Sequence, residues 1–114
     1  MQQHLRLRRH VDFLRVKEAG RGWHHAAFVM SAVLNGLAHN RYGFIVSKRL
    51  GKAVVRNRLR RRLREAVRSI HPQIQPGYDV VVVARVPSLS LSYWELRQAL
   101  VEVMQRAGLL ETSP

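Results

Sequence analysis

The sequence of 114 residues predicts one α+β domain. Two observations predict this class: three segments place apolar residues at helical spacing, and three others concentrate the valine, isoleucine and phenylalanine typical of strands. The length suits one modest core, and a hydrophobic fraction of 46% argues against a disordered polycation. We expect residues 1–114 to form a single domain with frayed ends at about 1–7 and 110–114.

The first half of the chain predicts one helix and two strands. Residues 9–19, "RHVDFLRVKEA", form a short helix that ends at Gly20, a residue suited to the left-handed conformation common at helix ends. Residues 26–34, "AAFVMSAVL", and 41–47, "RYGFIVS", flank the turn-prone "NGLAHN". We expect these two segments to form an antiparallel pair of strands.

The last third of the chain predicts a central strand and a capped helix. Residues 78–86, "YDVVVVARV", contain four consecutive valines, which indicate burial on both faces of a sheet. Ser92 and Glu95 form a capping box at the start of the last helix, and Gly108 ends it. The apolar stripe of this helix is expected in the core and consists of Leu96, Ala99, Leu100, Val103 and Ala107.

The positive charge of the chain is large and unevenly distributed. The formal net charge is +13, and residues 41–68 hold 11 Lys or Arg against a single acid. Such a field favours a polyanion, either a nucleic acid or an anionic membrane. The longest apolar run, "VVVVA" at 80–84, is too short to span a bilayer. The absence of cysteine excludes disulfides and cysteine-based zinc sites, and it fits the cytoplasmic location that we expect.

Residues 52–69, "KAVVRNRLRRRLREAVRS", predict an amphipathic helix that presents arginines outward. Neighbouring arginines repel one another at three- and four-residue spacing, and no Ser, Thr, Asp or Asn caps the helix. Bound phosphates would relieve both costs, so we favour a nucleic-acid contact over a solvated surface helix. Six apolar residues fall within about 120° of the helix circumference: Val55, Leu59, Leu63, Ala66, Val67 and Ile70.

Residues 41–68 also resemble the signature region of the bacterial ribonuclease P protein subunit. The matching features are the Gly-Phe strand, the Ser-Lys-Arg-x-Gly turn, and Ala-Val-x-Arg-Asn-Arg followed by a basic helix. The resemblance continues through "RLRRHVDFLRV" before this region and through "GYDVVVVAR" and "LSYWELRQAL" after it. It implies the order αβββαβα, with three helices around a mixed four-stranded sheet and a left-handed βαβ crossover. The fourth strand would lie in or near "GRGWHH".

The resemblance further implies a role in assisting a catalytic RNA that removes the 5′ leader from precursor tRNA. In that family the Arg-Asn-Arg helix faces the RNA subunit. Asn57, which is uncharged, either contacts RNA or caps the bend entering the helix. The RNA-subunit-binding residues carried over are Lys48, Arg49, Lys52, Arg56, Asn57, Arg58, Arg60, Arg61, Arg64 and Arg68.

A second site implied by the resemblance is a cleft between the first helix and the sheet that receives the leader. Phe13 matches an aromatic residue of that site, although its spacing alone favours core packing. Lys17 and Ser31 stand where the family commonly has aromatic residues. We therefore expect electrostatic contacts to contribute more than base stacking to binding of the leader. The leader-binding candidates are Phe13, Arg9, Lys17 and Phe44.

The sequence predicts no catalytic or metal-binding residues in the protein itself. Asp12, Glu18, Glu65 and Asp79 show no grouping suited to metal ligation, and the six histidines lack a ligand spacing. We therefore expect no cofactor on the protein and assign the chemistry to the partner RNA and its Mg²⁺. The expected partners are ribonuclease P RNA and precursor tRNA, with neither a membrane nor a protein partner evident.

Three alternatives are open to such a basic chain. A structural RNA-binding protein, such as a ribosomal component, would have no substrate cleft. A DNA-binding protein would more often carry varied base-reading side chains than near-uniform arginine. A membrane-surface helix is less favoured, because this apolar face lacks Trp or Phe anchors.

Overall fold

The computed structural model describes residues 2–111. Within that range three helices and four strands alternate in the order αβββαβα, as the resemblance implies. The first strand lies within "GRGWHH", where a fourth strand was expected. The elements are α1 (His10–Ala19), β1 (Arg21–His24), β2 (Phe28–Leu34), β3 (Arg41–Ile45), α2 (Ala53–Ile70), β4 (Tyr78–Ala84) and α3 (Tyr93–Arg106).

The four strands form one mixed sheet in the order β1-β2-β4-β3. β1 pairs with β2, and β2 pairs with β4, both antiparallel, whereas β3 pairs with β4 in parallel. The central position predicted for β4 is confirmed: three of its four valines are buried, and Val83 is 37% exposed. The left-handed sense of the β3-α2-β4 crossover stays an expectation from the resemblance.

The predicted antiparallel pairing of residues 26–34 with 41–47 is wrong. β4 lies between β2 and β3, and it pairs with all seven residues of β2 and all five residues of β3. The physical reason is burial, because the valine run of β4 is stable only with a strand on each side. A turn-like segment between two strands indicates that the chain changes direction. It does not show that the two strands pair, because a strand from later in the sequence can lie between them.

One face of the sheet is closed by α2 and α3. The sheet contributes Phe28, Met30 and Val82 to this core. Leu63 of α2 and Leu100 of α3 pack against them and are fully buried. We call this side the closed face.

The opposite face is only partly covered. α1 crosses β2 and β4 there, and Val16 of the helix packs with Val81 of the sheet and Leu7 of the N-terminal segment. Ile45 and Val83 lie on the same side and are 39% and 37% exposed. We call this side the open face, and it provides the floor of a cleft.

An ion-pair network ties α1 to the open face. The carboxylate of Asp79 in β4 is fully buried and accepts hydrogen bonds from Arg41 at 2.7 and 2.9 Å and from Asn35 at 3.0 Å. Arg15 of α1 donates to the same carboxylate. Burial alone would raise the pKa of Asp79, but these donors outweigh it and lower that pKa. α1 is therefore anchored by charge as well as by apolar packing.

Gly20 ends α1 for a different reason from the predicted one. Its φ is −80°, which is not left-handed. A Cβ there would clash with the carbonyl oxygen of Val16 and would lie 2.9 Å from that of Ala32. The glycine is needed because the backbone approaches β2 closely. At α3, in contrast, the predicted capping box and the left-handed Gly108, with φ +77°, are both confirmed.

Parts of the two segments for which fraying was expected, 1–7 and 110–114, are packed on the fold. Leu5 and Leu7 are 8% and 5% exposed, and the Leu7 N–H donates to the carbonyl oxygen of Tyr42 at 2.8 Å. Leu110 is also buried. Apolar burial thus extends the folded part to these residues, while residues 1 and 112–114 lie outside the described range.

Candidate nucleic-acid interface

The arginine-rich helix α2 docks on the closed face by the predicted apolar stripe. Five of the six predicted stripe residues are buried, and only Val55, in the first turn, is 37% exposed. Lys52 occupies the N-cap position without a side-chain cap hydrogen bond. The helix start therefore leaves backbone donors unsatisfied by side chains, as the sequence predicted.

Part of the arginine row is bound by the protein itself. Arg56 and Arg62 donate to backbone carbonyl oxygens at 3.1 and 3.5 Å. Arg68 forms an ion pair with Glu65, the only acid of the helix, at 2.8 Å. The hydrogen bond from Arg68 lowers the pKa of Glu65 and in turn raises that of Arg68. Arg68 is therefore neutralised by Glu65, whereas Arg56 and Arg62 keep their charge but have one donor engaged by the protein.

Three other arginines of α2 have no protein partner among residues 2–111. Arg58 and Arg61 are exposed, and Arg64 is half-buried. Neither a hydrogen bond nor an ion pair engages them within that range. Their guanidinium groups are free to bind phosphate oxygens, which charge-assisted paired hydrogen bonds suit well.

Asn57 lies inside α2 and does not cap it. The N-cap is Lys52, five residues earlier, so the capping alternative is wrong. Its side-chain oxygen accepts a hydrogen bond from Arg60 at 3.0 Å, and Arg60 also donates to the Val46 carbonyl oxygen at 3.4 Å. Asn57 is exposed, and within residues 2–111 its amide N–H groups donate no hydrogen bond to the protein.

The loop before α2 extends the basic surface. Lys48 and Arg49 lie in a short 3₁₀ turn, and both are exposed, as is Lys52. Gly51 has φ +132°, a backbone angle that favours glycine, and it turns the chain into the helix. We define the basic face as Lys48, Arg49 and Lys52 together with the α2 arginines predicted to bind RNA. Those arginines are Arg56, Arg58, Arg60, Arg61, Arg64 and Arg68.

A depression of about 570 Å³ lies between α2 and the N-terminal segment. Arg6 lines it opposite Asn57, Arg60, Arg61 and Arg64. Arg6 was missed by sequence reasoning, because an isolated parallel bridge to Tyr42 brings it to β3 from 36 residues away. No local pattern in the sequence signals that contact.

The predicted cleft lies between α1 and the open face, with a volume of about 790 Å³. Phe13, Lys17 and Ser31 all line it, so the structure brings together three of the residues that the sequence placed there. Lys17 is exposed, one helical turn from Phe13. Arg8 also lines the cleft and was not predicted.

Phe13 belongs to both the core and the cleft. Its ring packs with the cluster of Leu7, Val16 and Val81, and it stays half-buried. The ring also lies directly over Gly43, where an added Cβ would clash with it. The two roles weighed from the sequence are therefore compatible, since a partly packed ring keeps surface toward the cleft.

Of the other two predicted leader-binding residues, Phe44 borders the cleft and Arg9 does not. Phe44 borders the cleft, but its ring packs against the core of the closed face, in register with Val82. Strand alternation could have shown this, because it puts Gly43 and Phe44 on opposite faces. Arg9 lies outside the cleft lining, 75% exposed in its side chain, and donates to Asp12 at 3.1 Å.

Neither a metal site nor a membrane span is found in the part of the chain that the structure describes. Residues 2–111 contain no group of three or more His, Asp or Glu side chains placed to hold a metal ion. None of the helices in that range is both long enough and apolar enough to cross a membrane.

Sequence comparison shows that this chain is similar to ribonuclease P proteins. The Ribonuclease P family model matches residues 1–108. The ribonuclease P protein component of Roseiflexus castenholzii is 47% identical over 112 residues, which cover 97% of this chain and 92% of that protein. That of Symbiobacterium thermophilum is 42% identical over 112 residues and covers 97% of both chains.

Solved structures of RNase P proteins have a similar fold. The Staphylococcus aureus RNase P protein superposes with a TM-score of 0.86 at 30% identity, covering 94% of this chain and 98% of that one. The Thermotoga maritima RNase P protein gives a TM-score of 0.82 at 32% identity, covering 89% and 96%. The chain belongs to the ribonuclease P protein family.

Proposed function

We propose that this chain binds the catalytic RNA of ribonuclease P through its basic face and holds the 5′ leader of precursor tRNA in its cleft. The RNA, with Mg²⁺, then cleaves the leader to give the mature 5′ end in the cytoplasm. The protein supplies positive charge and position, and its own residues take no part in breaking the bond.

One observation carries this proposal: the basic face and the cleft adjoin. A smaller depression of about 260 Å³ at the edge strand β3 is lined both by Arg60 and Arg64 of α2 and by Arg8 and Phe13 of the cleft. A single RNA assembly can therefore contact both surfaces around this edge. Electrostatic contacts along such a path position an RNA without reading its sequence.

The presence of the cleft favours this proposal over the alternative functions. A structural RNA-binding protein needs only the basic face, whereas an open groove with a partly exposed ring suits a single strand. The near-uniform arginines of α2 also suit phosphate contacts better than the reading of DNA bases.

Reconstitution tests the proposal. Purified protein free of RNA is expected not to cleave precursor tRNA, and a bacterial ribonuclease P RNA should be only weakly active at low Mg²⁺ by itself. Adding the protein should restore site-specific 5′ cleavage. Cleavage by rigorously RNA-free protein would refute the assignment of chemistry to the RNA. RNA binding without any gain in cleavage would favour a structural RNA-binding protein.

A further inference from the structure

One flank of α2 is in contact with the chain segment that leads into α3. Arg62 donates to the Leu91 carbonyl oxygen at 3.5 Å, and the Tyr93 hydroxyl donates to the Glu65 carbonyl oxygen at 3.4 Å. We call the surface along these two contacts the α2–α3 seam. Because α2 and α3 both cover the closed face, the seam lies on the opposite side of the sheet from the cleft.

Trp94 is exposed beside this seam. It follows Tyr93 directly, and the two rings meet edge-on with 5.1 Å between their centroids. Tyr93 is bonded to α2, so the start of α3 presents the Trp94 ring from a fixed backbone. The residue is nevertheless 70% exposed, although tryptophan is on average one of the more buried residue types. The fold therefore leaves a large aromatic surface to solvent.

Further apolar side chains are exposed along the same flank of α2. Val55 and Leu89 are each 37% exposed. Both line a depression of about 100 Å³, together with Arg58 and Arg62. Apolar residues that are exposed singly are normal, whereas a group of them rimmed by polar residues marks a contact surface. Trp94 and this depression together make such a group.

Positive charge borders this apolar surface. Arg58 is exposed and makes neither a hydrogen bond nor an ion pair within residues 2–111. Arg62 lines the depression and has only one donor engaged, on the carbonyl oxygen of Leu91, three residues before Trp94. The guanidinium groups are therefore available beside both the depression and the segment that carries the exposed ring.

Two acids near the seam are already bound within the protein. Arg68 holds Glu65 at 2.8 Å, and Glu95 accepts from the Ser92 N–H at 2.9 Å in the capping box. Glu95 also lies two residues after Tyr93, about 200° around the helix, and therefore on the side away from α2. Neither carboxylate neutralises the arginines that border the apolar surface.

The charge decides which kind of partner this surface fits. A second copy of the chain would bring two molecules of formal net charge +13 together, and like charges repel. Unpaired RNA is bound through bases that stack on aromatic rings and through phosphates that contact cations. The leader lies in the cleft under the proposed function, on the other side of the sheet, so the RNA subunit is the source that fits.

We propose that Trp94 stacks on an unpaired base of the RNA subunit, while Arg58 and Arg62 bind the adjoining phosphates. This inference rests on the proposed function and extends it from the arginines of α2 to a base contact on α3. Stacking accepts any base, so the contact adds affinity without reading the sequence. A neutral ring releases no counter-ions, so its contribution does not depend on salt as that of an arginine does.

Tryptophan fluorescence tests the contact directly. The chain contains two tryptophans, and Trp23 is half-buried against the core of the closed face. In Trp23→Phe the emission comes from Trp94 alone, and ribonuclease P RNA should quench it and protect it from acrylamide. Trp94→Phe, which keeps Trp23, is the control and should change little. Unaltered Trp94 emission and acrylamide quenching at saturating RNA would overturn the proposal. If Trp23→Phe does not fold, the difference between wild type and Trp94→Phe gives the same signal.

Affinity measurements separate stacking from charge and from simple apolar contact. Trp94→Ala should weaken binding to ribonuclease P RNA by about 5- to 150-fold and leave the log–log salt slope unchanged. Trp94→Tyr keeps a stacking ring and should restore most of the affinity, whereas Trp94→Leu should behave like Trp94→Ala. The matched control is Leu34→Ala, which removes a 66% exposed apolar side chain outside the seam. Equal affinities of Trp94→Ala and Leu34→Ala would contradict stacking.

Two further outcomes distinguish this inference from its alternatives. Trp94 emission that changes with protein concentration without RNA, together with full RNA affinity in Trp94→Ala, would assign the ring to a contact with a second copy. A wild type that activates cleavage no better than Trp94→Ala, with equal RNA affinity, would refute the stacking contact alone. A protein that fails to activate cleavage, while oligoadenylate still quenches Trp94, would refute the proposed function and leave the stacking surface in place.

Discussion

The two faces of the sheet differ in how completely they are covered. On the closed face, the 18 residues of α2 and the 14 of α3 enclose a continuous apolar core. On the open face, the 10 residues of α1 cover only part of the sheet. The comparison teaches that most of the apolar core lies on one side of the sheet, whereas the other side leaves open the cleft to which we assign the leader. The helix α2 contributes to both stability and charge, because its leucines pack on the closed face and its arginines face solvent.

The largest effect is expected when the three unpartnered arginines of α2 are removed together. Changing Arg58, Arg61 and Arg64 to Ala should weaken RNA-subunit binding and lower the log–log salt slope by about 2–3 in total. Stability should hold or rise, since like-charge repulsion is relieved. Filter binding across a salt series measures the first effect, and thermal unfolding measures the second.

The matched control for this triple variant removes the same charge from the other end of the chain. Arg85, Arg97 and Arg106 are the only Lys or Arg residues between 69 and 114. Changing them to Ala should leave the salt slope nearly unchanged. A folded α2 variant that binds RNA as tightly as the wild type would rule out the basic face.

The second prediction breaks the anchor of α1. Asp79→Ala leaves Arg15 and Arg41 without their buried carboxylate, and we expect a loss of about 2–4 kcal/mol in the free energy of unfolding. Because the pKa of Asp79 is lowered in the fold, its contribution is present above about pH 4 and is lost as pH falls below that. Denaturant unfolding from pH 3 to 7 measures both effects. Glu102→Ala, at an exposed carboxylate, is the control and should change little.

The third prediction separates the two faces by their effects on substrate. Phe13→Ala should weaken precursor tRNA binding by about 1–3 kcal/mol and leave mature tRNA almost unaffected, since mature tRNA has no leader. Leu63→Ala, in the closed face, should lower stability by about 2–5 kcal/mol and change neither affinity selectively. Holoenzyme affinities for the two tRNAs, with circular dichroism as a check of folding, provide the measurement. Equal losses for both tRNAs in Phe13→Ala would place this ring in the core alone.

The fourth prediction concerns the charge at the rim of the cleft. Lys17 lines the cleft, and under the proposed function it holds a leader phosphate. Lys17→Phe should then make precursor binding less salt-dependent without abolishing it. Lys17→Arg is the matched variant and should keep the salt dependence. A salt slope that is identical in all three proteins would remove Lys17 from the site.

The smallest effect is expected at His71. Tyr42, 2% exposed, receives a hydrogen bond from Asn40 at 3.1 Å and lies 2.8 Å from Nδ1 of His71. Burial lowers the pKa of His71, as do His4 and His39, while burial raises the pKa of Tyr42 to about 12. Neutral His71 therefore contributes stability that is present above its unfolded pKa of about 6.5 and is lost as pH falls toward the folded pKa.

His71→Gln tests this contribution, because glutamine does not titrate and can still accept from the Tyr42 hydroxyl. The variant should lose less stability than the wild type between pH 7.5 and 5.5, and thermal unfolding at each pH measures the difference. His24→Gln, at an exposed histidine, is the control. Parallel pH profiles for wild type and His71→Gln would contradict the prediction.

The sequence predicted α2 well because helical periodicity is local. The apolar stripe and the outward arginines follow from spacing alone, and the structure keeps both. Pairing of strands is not local, so the position of β4 between β2 and β3 was missed. The order of the elements came from the resemblance and is confirmed.

The same distinction explains the site residues. Phe13 and Lys17 lie one turn apart on a single helix, and both line the cleft as predicted. Phe44 borders the cleft, and its packing against the core of the closed face could have been read from the alternation along β3. The position of Arg6 beside α2 could not have been found, because it depends on a bridge to a strand that is distant in the sequence.

Two glycines determine how closely α1 approaches the sheet. At Gly20 the backbone comes close to β2, and at Gly43 the ring of Phe13 rests directly on the strand. One added methyl group at either position would push the helix outward and change the width of the cleft. The close contacts at these two glycines therefore set the width of the cleft. Under the proposed function, leaders of different sequence would adapt their own conformation to this width, and the cleft would recognise a flexible single strand by shape more than by its bases.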